Sequence, residues 1–112
     1  MPRKDDATRI RHMYEYALDA MTIIKGRTRD DLEKEITVRL SLVHCIEIIG
    51  EAASKVSKAG QSAHPEIPWK KIINMRNRIA HVYFDINHDI VWQTTVEDIP
   101  PLLALLKAVL GE

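Results

Sequence analysis

The chain has 112 residues, 46% of them hydrophobic and only 5% aromatic, and its 16 basic residues balance its 16 acidic residues. This length suits a single domain, residues 1–112, with an aliphatic core, and the zero net charge excludes a basic surface spread over the whole protein. No apolar run reaches the roughly 18 residues of a membrane span, so no membrane partner is expected. The chain begins without an apolar signal segment and contains one cysteine, Cys45. Both features favour a cytoplasmic protein without disulfides.

Apolar residues recur at helical spacing along almost the whole chain. The first predicted helix ends at Gly26, and Thr28 with Asp31 three residues later predicts the start of the second. The second helix is predicted to run unbroken from about Arg29 to Lys58. Gly50 lies inside it, where glycine costs about 1 kcal/mol relative to alanine. A close crossing with another helix would explain a glycine at this position.

The second half of the chain begins with a predicted loop from Ala59 to Pro68, because glycine, serine and proline break regular structure there. Pro68 suits the first turn of a third helix. A turn is predicted at Asp85–His88, with Asn87 as the N-cap of the last helical segment. Pro100-Pro101 is predicted to kink or break that segment. No alternating strand pattern is present, so the sequence predicts an all-α, up-and-down bundle of four helices, or five if the double proline splits the last.

Residues 76–83 read Arg76-Asn77-Arg78-Ile79-Ala80-His81-Val82-Tyr83 and carry groups suited to phosphodiester chemistry. Arginine offers a permanent charge and a planar set of donors for phosphate. Histidine, with an unperturbed pKa of about 6.5, can take and return a proton near neutral pH. Together they can cleave a phosphodiester without a metal. The alternative is an exposed polar helix face with no catalytic role.

Two features favour a homodimer. At about 100° per residue, Arg76 and His81 lie roughly 140° apart around a helix, so a site that uses both is better formed in a groove between two helices. A symmetric dimer supplies such a groove. The C-terminal segment is also apolar around more than one face, and we expect part of it to form a dimer surface. Its large apolar residues are Leu102, Leu103, Leu105, Leu106, Val109 and Leu110.

Other candidate sites have weaker support. His81 and Asp85 have the i, i+4 spacing of metal ligands, but no third ligand is evident, so no metal is expected. Glu47 and Glu51 also share a helix face, where paired carboxylates are ordinarily solvated or salt-bridged. Glu51 is the better candidate for a function because it adjoins Gly50. Cys45 is expected to be a small buried apolar residue and not a nucleophile.

Five short motifs follow one another along the chain: Ile48-Ile49-Gly50-Glu51-Ala52-Ala53, His64-Pro65-Glu66-Ile67-Pro68-Trp69, Met75-Arg76-Asn77-Arg78, His81-Val82-Tyr83-Phe84 and Asp89-Ile90-Val91-Trp92. Together they resemble the HepT-like branch of the HEPN family. The resemblance extends from about residue 5 to residue 110. Linked motifs in a fixed order are far more specific than an Arg-x4-His pattern alone.

The resemblance implies a HEPN-type helical bundle that forms homodimers with a composite ribonuclease site. The family's Arg-x4-His motif falls on Arg76 and His81, and Asn77 is the polar residue after the arginine. Family members act as toxins beside a minimal nucleotidyltransferase antitoxin. In the branch with Arg-x4-His-x-Tyr, the antitoxin adds AMP to the tyrosine, here Tyr83.

The expected function is therefore a metal-independent endoribonuclease without a cofactor. A locally basic segment accompanies the motif, and we expect Lys70, Lys71 and Arg78 to bind RNA. Cleavage by the neighbouring 2′-hydroxyl would give a 2′,3′-cyclic phosphate. The alternative is a non-catalytic helical module that binds a nucleotide or docks a nucleotidyltransferase.

Overall fold

A computed structural model describes residues 4–81 and 87–112, apart from the side chains of residues 4, 80 and 81, and these ranges contain helices and no strand. The predicted all-α fold is confirmed. The helices are α1 (Lys4–Ile24), α2 (Arg29–Lys34), α3 (Ile36–Lys55), α4 (Lys58–Ala63), α5 (Trp69–His81), α6 (His88–Gln93), a π-helical segment (Thr94–Asp98) and α7 (Ile99–Leu110).

Four long helices form the bundle. Helix α3 packs against both α1 and α5, and α1 also packs against α7. The short helices α2 and α6 pack against each other and against α3. As the composition predicts, the core is mainly aliphatic. Its fully buried side chains include Met13, Leu32, Leu42, Ile46, Ile49, Ile79, Ile99 and Leu106.

The apolar C-terminal helix belongs mainly to this core. Leu102 and Leu106 of α7 are buried, and its other leucines are half-buried against the core. The most exposed large apolar side chains in the described part of the chain lie elsewhere, at Leu18, Ile36, Leu40 and Val96. The prediction that α7 contributes a dimer surface stays a prediction.

Local signals in the sequence correctly predict three helix ends. Gly26 follows α1 with a φ of +75°, a left-handed conformation that glycine adopts without strain. The backbone N–H of Thr28 donates to Asp31 Oδ2 at 2.8 Å ahead of α2. Asn87 caps α6, because its Oδ1 accepts hydrogen bonds from the backbone N–H groups of residues 89 and 90 at 2.9 and 3.2 Å.

The prediction of one unbroken helix from Arg29 to Lys58 is wrong, because the backbone turns at Glu35 between α2 and α3. Two arginine side chains stabilise the backbone at this break. Arg39 Nη1 donates to the carbonyl oxygen of Leu32 at 2.8 Å, and Arg27 Nη1 binds Glu35 Oε2 at 2.7 Å. The first of these bonds replaces a lost intrahelical partner, which a pattern of apolar spacing does not reveal.

The prediction of a continuous loop from Ala59 to Pro68 is also wrong, because α4 occupies Lys58–Ala63. Ser57 is its N-cap, with Oγ accepting from the backbone N–H of Gly60 at 3.0 Å. The buried carboxylate of Asp6, 51 residues earlier, accepts from both the N–H and the hydroxyl of Ser57. This contact between distant parts of the chain stabilises a short helix that local propensity does not favour.

The double proline does not interrupt the helical path. The backbone widens into the π-helical segment Thr94–Asp98, and Pro100 and Pro101 follow in the first turn of α7. Proline has no N–H to donate to the preceding turn, and the π-helical turn lies directly before both prolines. None of the described helices is both long and apolar enough to cross a membrane.

Candidate functional site

Helix α5 carries residues 76–81 of the 76–83 motif and crosses α3 at very close range. Its apolar face is buried through Ile72, Met75 and Ile79. At the crossing, a Cβ atom built on Gly50 would lie only 2.2 Å from the Cβ of Arg76. The close approach that the sequence predicts at Gly50 is therefore confirmed, and its partner is the motif arginine itself.

The crossing leaves the Arg76 side chain half-buried, 28% exposed, and engaged at three nitrogen atoms. Nη1 donates to Glu51 Oε2 at 2.7 Å. Nε and Nη2 both donate to Asn77 Oδ1, at 3.3 and 3.1 Å. An arginine has five N–H donors, so one on each of Nη1 and Nη2 is left without a partner among the residues that the structure describes. Two donors are the number that a bidentate contact with a phosphate uses.

Glu51 is the residue that the sequence suggested only weakly, through its position beside Gly50. Its carboxylate lies between two cations, because Oε1 is 3.2 Å from Lys55 Nζ and Oε2 binds Arg76. Lys55, and then Arg76, hold the pKa of Glu51 below its ordinary value. Glu51 is therefore an anion at neutral pH. Its contact with Arg76 needed the register between two helices and was not readable from the sequence.

The structure shows Arg76 and Asn77 in contact but does not describe the side chains of the other predicted site residues of the motif, His81 and Tyr83. His81 is the last residue of α5, and its side chain lies outside the described part of the chain. The predicted AMP acceptor Tyr83 and the candidate metal ligand Asp85 also lie outside the described residues. Their roles stay predictions. Within the described ranges, no group of three or more His, Cys, Asp and Glu side chains is arranged to hold a metal ion.

The three cations predicted to bind RNA line one groove of about 360 Å³ beside α5, together with Asn74, Met75 and Asp98. Lys71 Nζ lies 3.5 Å from Asp98 Oδ1. Arg78 Nη2 donates weakly to Thr94 Oγ1 of the π-helical segment, at 3.4 Å. Lys70 is exposed. Arg78 thus contacts the π-helical segment whereas Arg76 contacts α3, so the two arginines extend from α5 toward different neighbouring elements.

The remaining candidates have structural roles. Cys45 is buried, as predicted, and burial, with a smaller effect of Asp19, raises its pKa to about 11. A thiol with such a pKa is a poor nucleophile at neutral pH. The adjacent His44 packs edge-on against the ring of Tyr16, with ring centres 5.9 Å apart.

Comparison with known proteins identifies the family of the chain. A family model described as ribonuclease HepT-like matches residues 13–109. The chain belongs to the HepT-like ribonuclease family. The matched residues span both sides of the Gly50–Arg76 crossing, so the contacts of Arg76 lie inside the family's own domain.

Individual relatives of the HepT-like family cover most of the chain. A candidate ribonuclease of Caldanaerobacter subterraneus is 36% identical over 78% of this chain and 78% of its own length. A candidate ribonuclease HepT of Thermococcus cleftensis is 33% identical over 75% of this chain and 80% of its own. A candidate ribonuclease of Methanocaldococcus jannaschii is 29% identical over 91% and 84%. No solved structure matches the chain.

Proposed function

We propose that the protein is an endoribonuclease in which Arg76 binds the scissile phosphate. The observation that carries this proposal is the arrangement of Arg76, which Glu51 and Asn77 fix at a helix crossing while two of its N–H donors have no partner in the described part of the chain. Such a group stabilises the charge that builds on a phosphate in the transition state and needs little reorganisation to do so. Membership of the HepT-like ribonuclease family supports the same assignment.

The proposed reaction needs no metal. The 2′-hydroxyl of the RNA loses its proton to a base and its oxygen attacks the adjacent phosphorus. The bond to the 5′-oxygen breaks, and that oxygen takes a proton from an acid. His81 acts as the base or the acid. The products are a 2′,3′-cyclic phosphate and a 5′-hydroxyl. The basic groove of Lys70, Lys71 and Arg78 would hold neighbouring phosphates of the strand.

The substrate and the product end group test this reaction. We expect the purified protein to cut a labelled RNA and to leave a 2′,3′-cyclic phosphate, and to leave the same sequence intact when every 2′-hydroxyl is methylated. Cleavage of the methylated strand would show that another nucleophile attacks. Binding without cleavage of either strand would favour the alternative function, a helical module that binds a nucleotide or docks a nucleotidyltransferase.

We further propose that the site forms in a homodimer, with Arg76 of one copy and His81 of the other. Mixing two inactive variants tests the arrangement. An Arg76→Ala chain paired with a His81→Ala chain holds one intact combination if the site combines two copies, and none if each site lies within one chain. Activity regained on mixing, up to about half that of the wild type for a full mixed dimer, is expected. Light scattering that reports a stable 12.8 kDa monomer would contradict the proposal.

The biological role we propose is that of a toxin controlled by a minimal nucleotidyltransferase. The partner would transfer AMP from ATP to the Tyr83 hydroxyl, with release of pyrophosphate. Tyr83 follows Arg76 by seven residues and His81 by two in the sequence. A phosphate attached there would bring negative charge near the motif and compete with RNA for its cations.

A further inference from the structure

We propose that Glu51 is the positioning residue of the site: it holds the Arg76 guanidinium in the orientation that presents its free donors to the RNA phosphate. The effect of Glu51 on catalysis rests on the proposed function, whereas its contact with Arg76 is seen at the α3–α5 crossing.

The crossing explains why one carboxylate can control this arginine. Gly50 lets the Arg76 backbone approach α3 so closely that the start of its side chain has no room to move toward α3. The far end of the side chain is then fixed from two directions, by Glu51 Oε2 at Nη1 and by Asn77 Oδ1 at Nε and Nη2. Asn77 is the neighbouring residue on the same helix, so among the residues that the structure describes it is Glu51 that ties the guanidinium to α3.

Glu51 pairs with two cations, Lys55 and Arg76, so its negative charge does not fully neutralise the arginine that would bind the substrate. Lys55 binds the other carboxylate oxygen from one turn further along α3. A carboxylate that is already paired with a lysine withdraws less of the positive charge of the arginine. The arrangement therefore orients the guanidinium and still leaves a net positive charge among the three side chains to attract RNA.

The kinetic test compares Glu51→Ala with Glu51→Gln. The alanine variant loses the acceptor for Nη1, and we expect kcat to fall roughly tenfold to hundredfold with little change in KM, as the loss of a hydrogen bond to a charged group predicts. The glutamine variant keeps an acceptor oxygen and should retain most of the wild-type kcat. Glu35→Ala is the matched control, because Glu35 binds Arg27 at the same 2.7 Å and has similar exposure, 44% against 46%.

A second readout does not depend on cleavage. In the free wild-type protein, the Nε–H of Arg76, assigned by its loss in Arg76→Lys, should exchange slowly with water in the ¹⁵N NMR spectrum. In Glu51→Ala the guanidinium can turn away from Asn77, and exchange should become several times faster. The Glu35→Ala protein should leave this signal unchanged.

The outcomes separate the two proposals. An unchanged Arg76 signal in Glu51→Ala overturns the positioning role. A wild-type or increased kcat in Glu51→Ala also overturns it, and an increase would mean that Glu51 competes with the phosphate for Arg76. If the wild-type protein cuts no RNA, the proposed function fails on its own, and the NMR comparison still decides whether Glu51 holds Arg76.

Discussion

The contact between Gly50 and Arg76 makes a substitution at Gly50 a sensitive probe of the site. In Gly50→Ala the new Cβ would lie 2.2 Å from the Cβ of Arg76, 3.0 Å from its Cγ and 3.2 Å from its Cδ. The Cβ of Arg76 is fixed by the backbone of α5, so a side-chain rotation cannot move it away. Helices α3 and α5 must therefore separate by roughly 1 Å to reach an ordinary contact distance, since protein interiors are close-packed.

The expected cost in stability is modest because two effects oppose each other. Overpacking of this kind costs about 1–3 kcal/mol, and alanine regains about 1 kcal/mol over glycine in a helix. The net loss is about 0–2 kcal/mol, which lowers the melting temperature by about 4 °C for each kcal/mol in a domain of this size. The effect on cleavage should be larger, because a displacement of about 1 Å can cost about 100-fold in rate.

Circular dichroism melting and initial rates on a fluorescent RNA measure the two effects separately. Gly60→Ala is the matched control, because its Cβ would lie 2.5 Å from Asp6 Oδ2 and 2.8 Å from Val56 Cγ1. That crowding is in α4 and touches no residue of the motif, so the control should lose stability and keep its rate. A Gly50→Ala protein with the wild-type rate and melting temperature would refute the argument from helix separation.

Three further predictions concern the metal, the tyrosine and the cysteine. RNA cleavage should survive excess EDTA, and loss of activity on chelation would support the metal hypothesis at His81 and Asp85 instead. Tyr83→Phe should still cut RNA but accept no AMP from a cognate nucleotidyltransferase with ATP; an AMP label that maps to another residue would contradict the tyrosine assignment. The pKa of Cys45, raised to about 11, keeps its thiol protonated until the pH approaches that value. Its alkylation at pH 8.5 should therefore be roughly 100-fold slower than that of an ordinary cysteine, and rapid labelling of the folded protein would be incompatible with its burial.

The sequence predicts those parts of the fold that depend on local signals. Gly26 ends α1 and Asn87 begins α6 as predicted, because a left-handed glycine and an N-cap act within a few residues. The break at Glu35 and the helix after Ser57 were missed because both depend on partners elsewhere in the chain. Arg39 binds a backbone carbonyl of α2, and Asp6 binds Ser57, the N-cap of α4, across 51 residues of sequence.

In the candidate site, too, the sequence predicts local features but not the contacts between distant residues. Arg76 and Asn77 are readable from residue type and spacing, and Gly50 signals that something approaches α3. That the approaching residue is Arg76, and that Glu51, 25 residues earlier, binds it, depends on how α3 and α5 align. Helical periodicity gives the face of each helix but not the register between them. The motif arginine and its carboxylate partner are therefore connected only by the structure.

The most direct test of the central proposal is the initial rate of RNA cleavage by the wild type, Arg76→Ala and His81→Ala, with folding confirmed by circular dichroism. The Arg76 side chain is partly exposed, so its truncation should leave the fold intact. We expect the wild type to cut RNA and both folded variants to lose at least about 100-fold in rate, the scale of losing a charge-stabilising or proton-transferring group. Wild-type cleavage rates in either folded variant would contradict the assignment of the site.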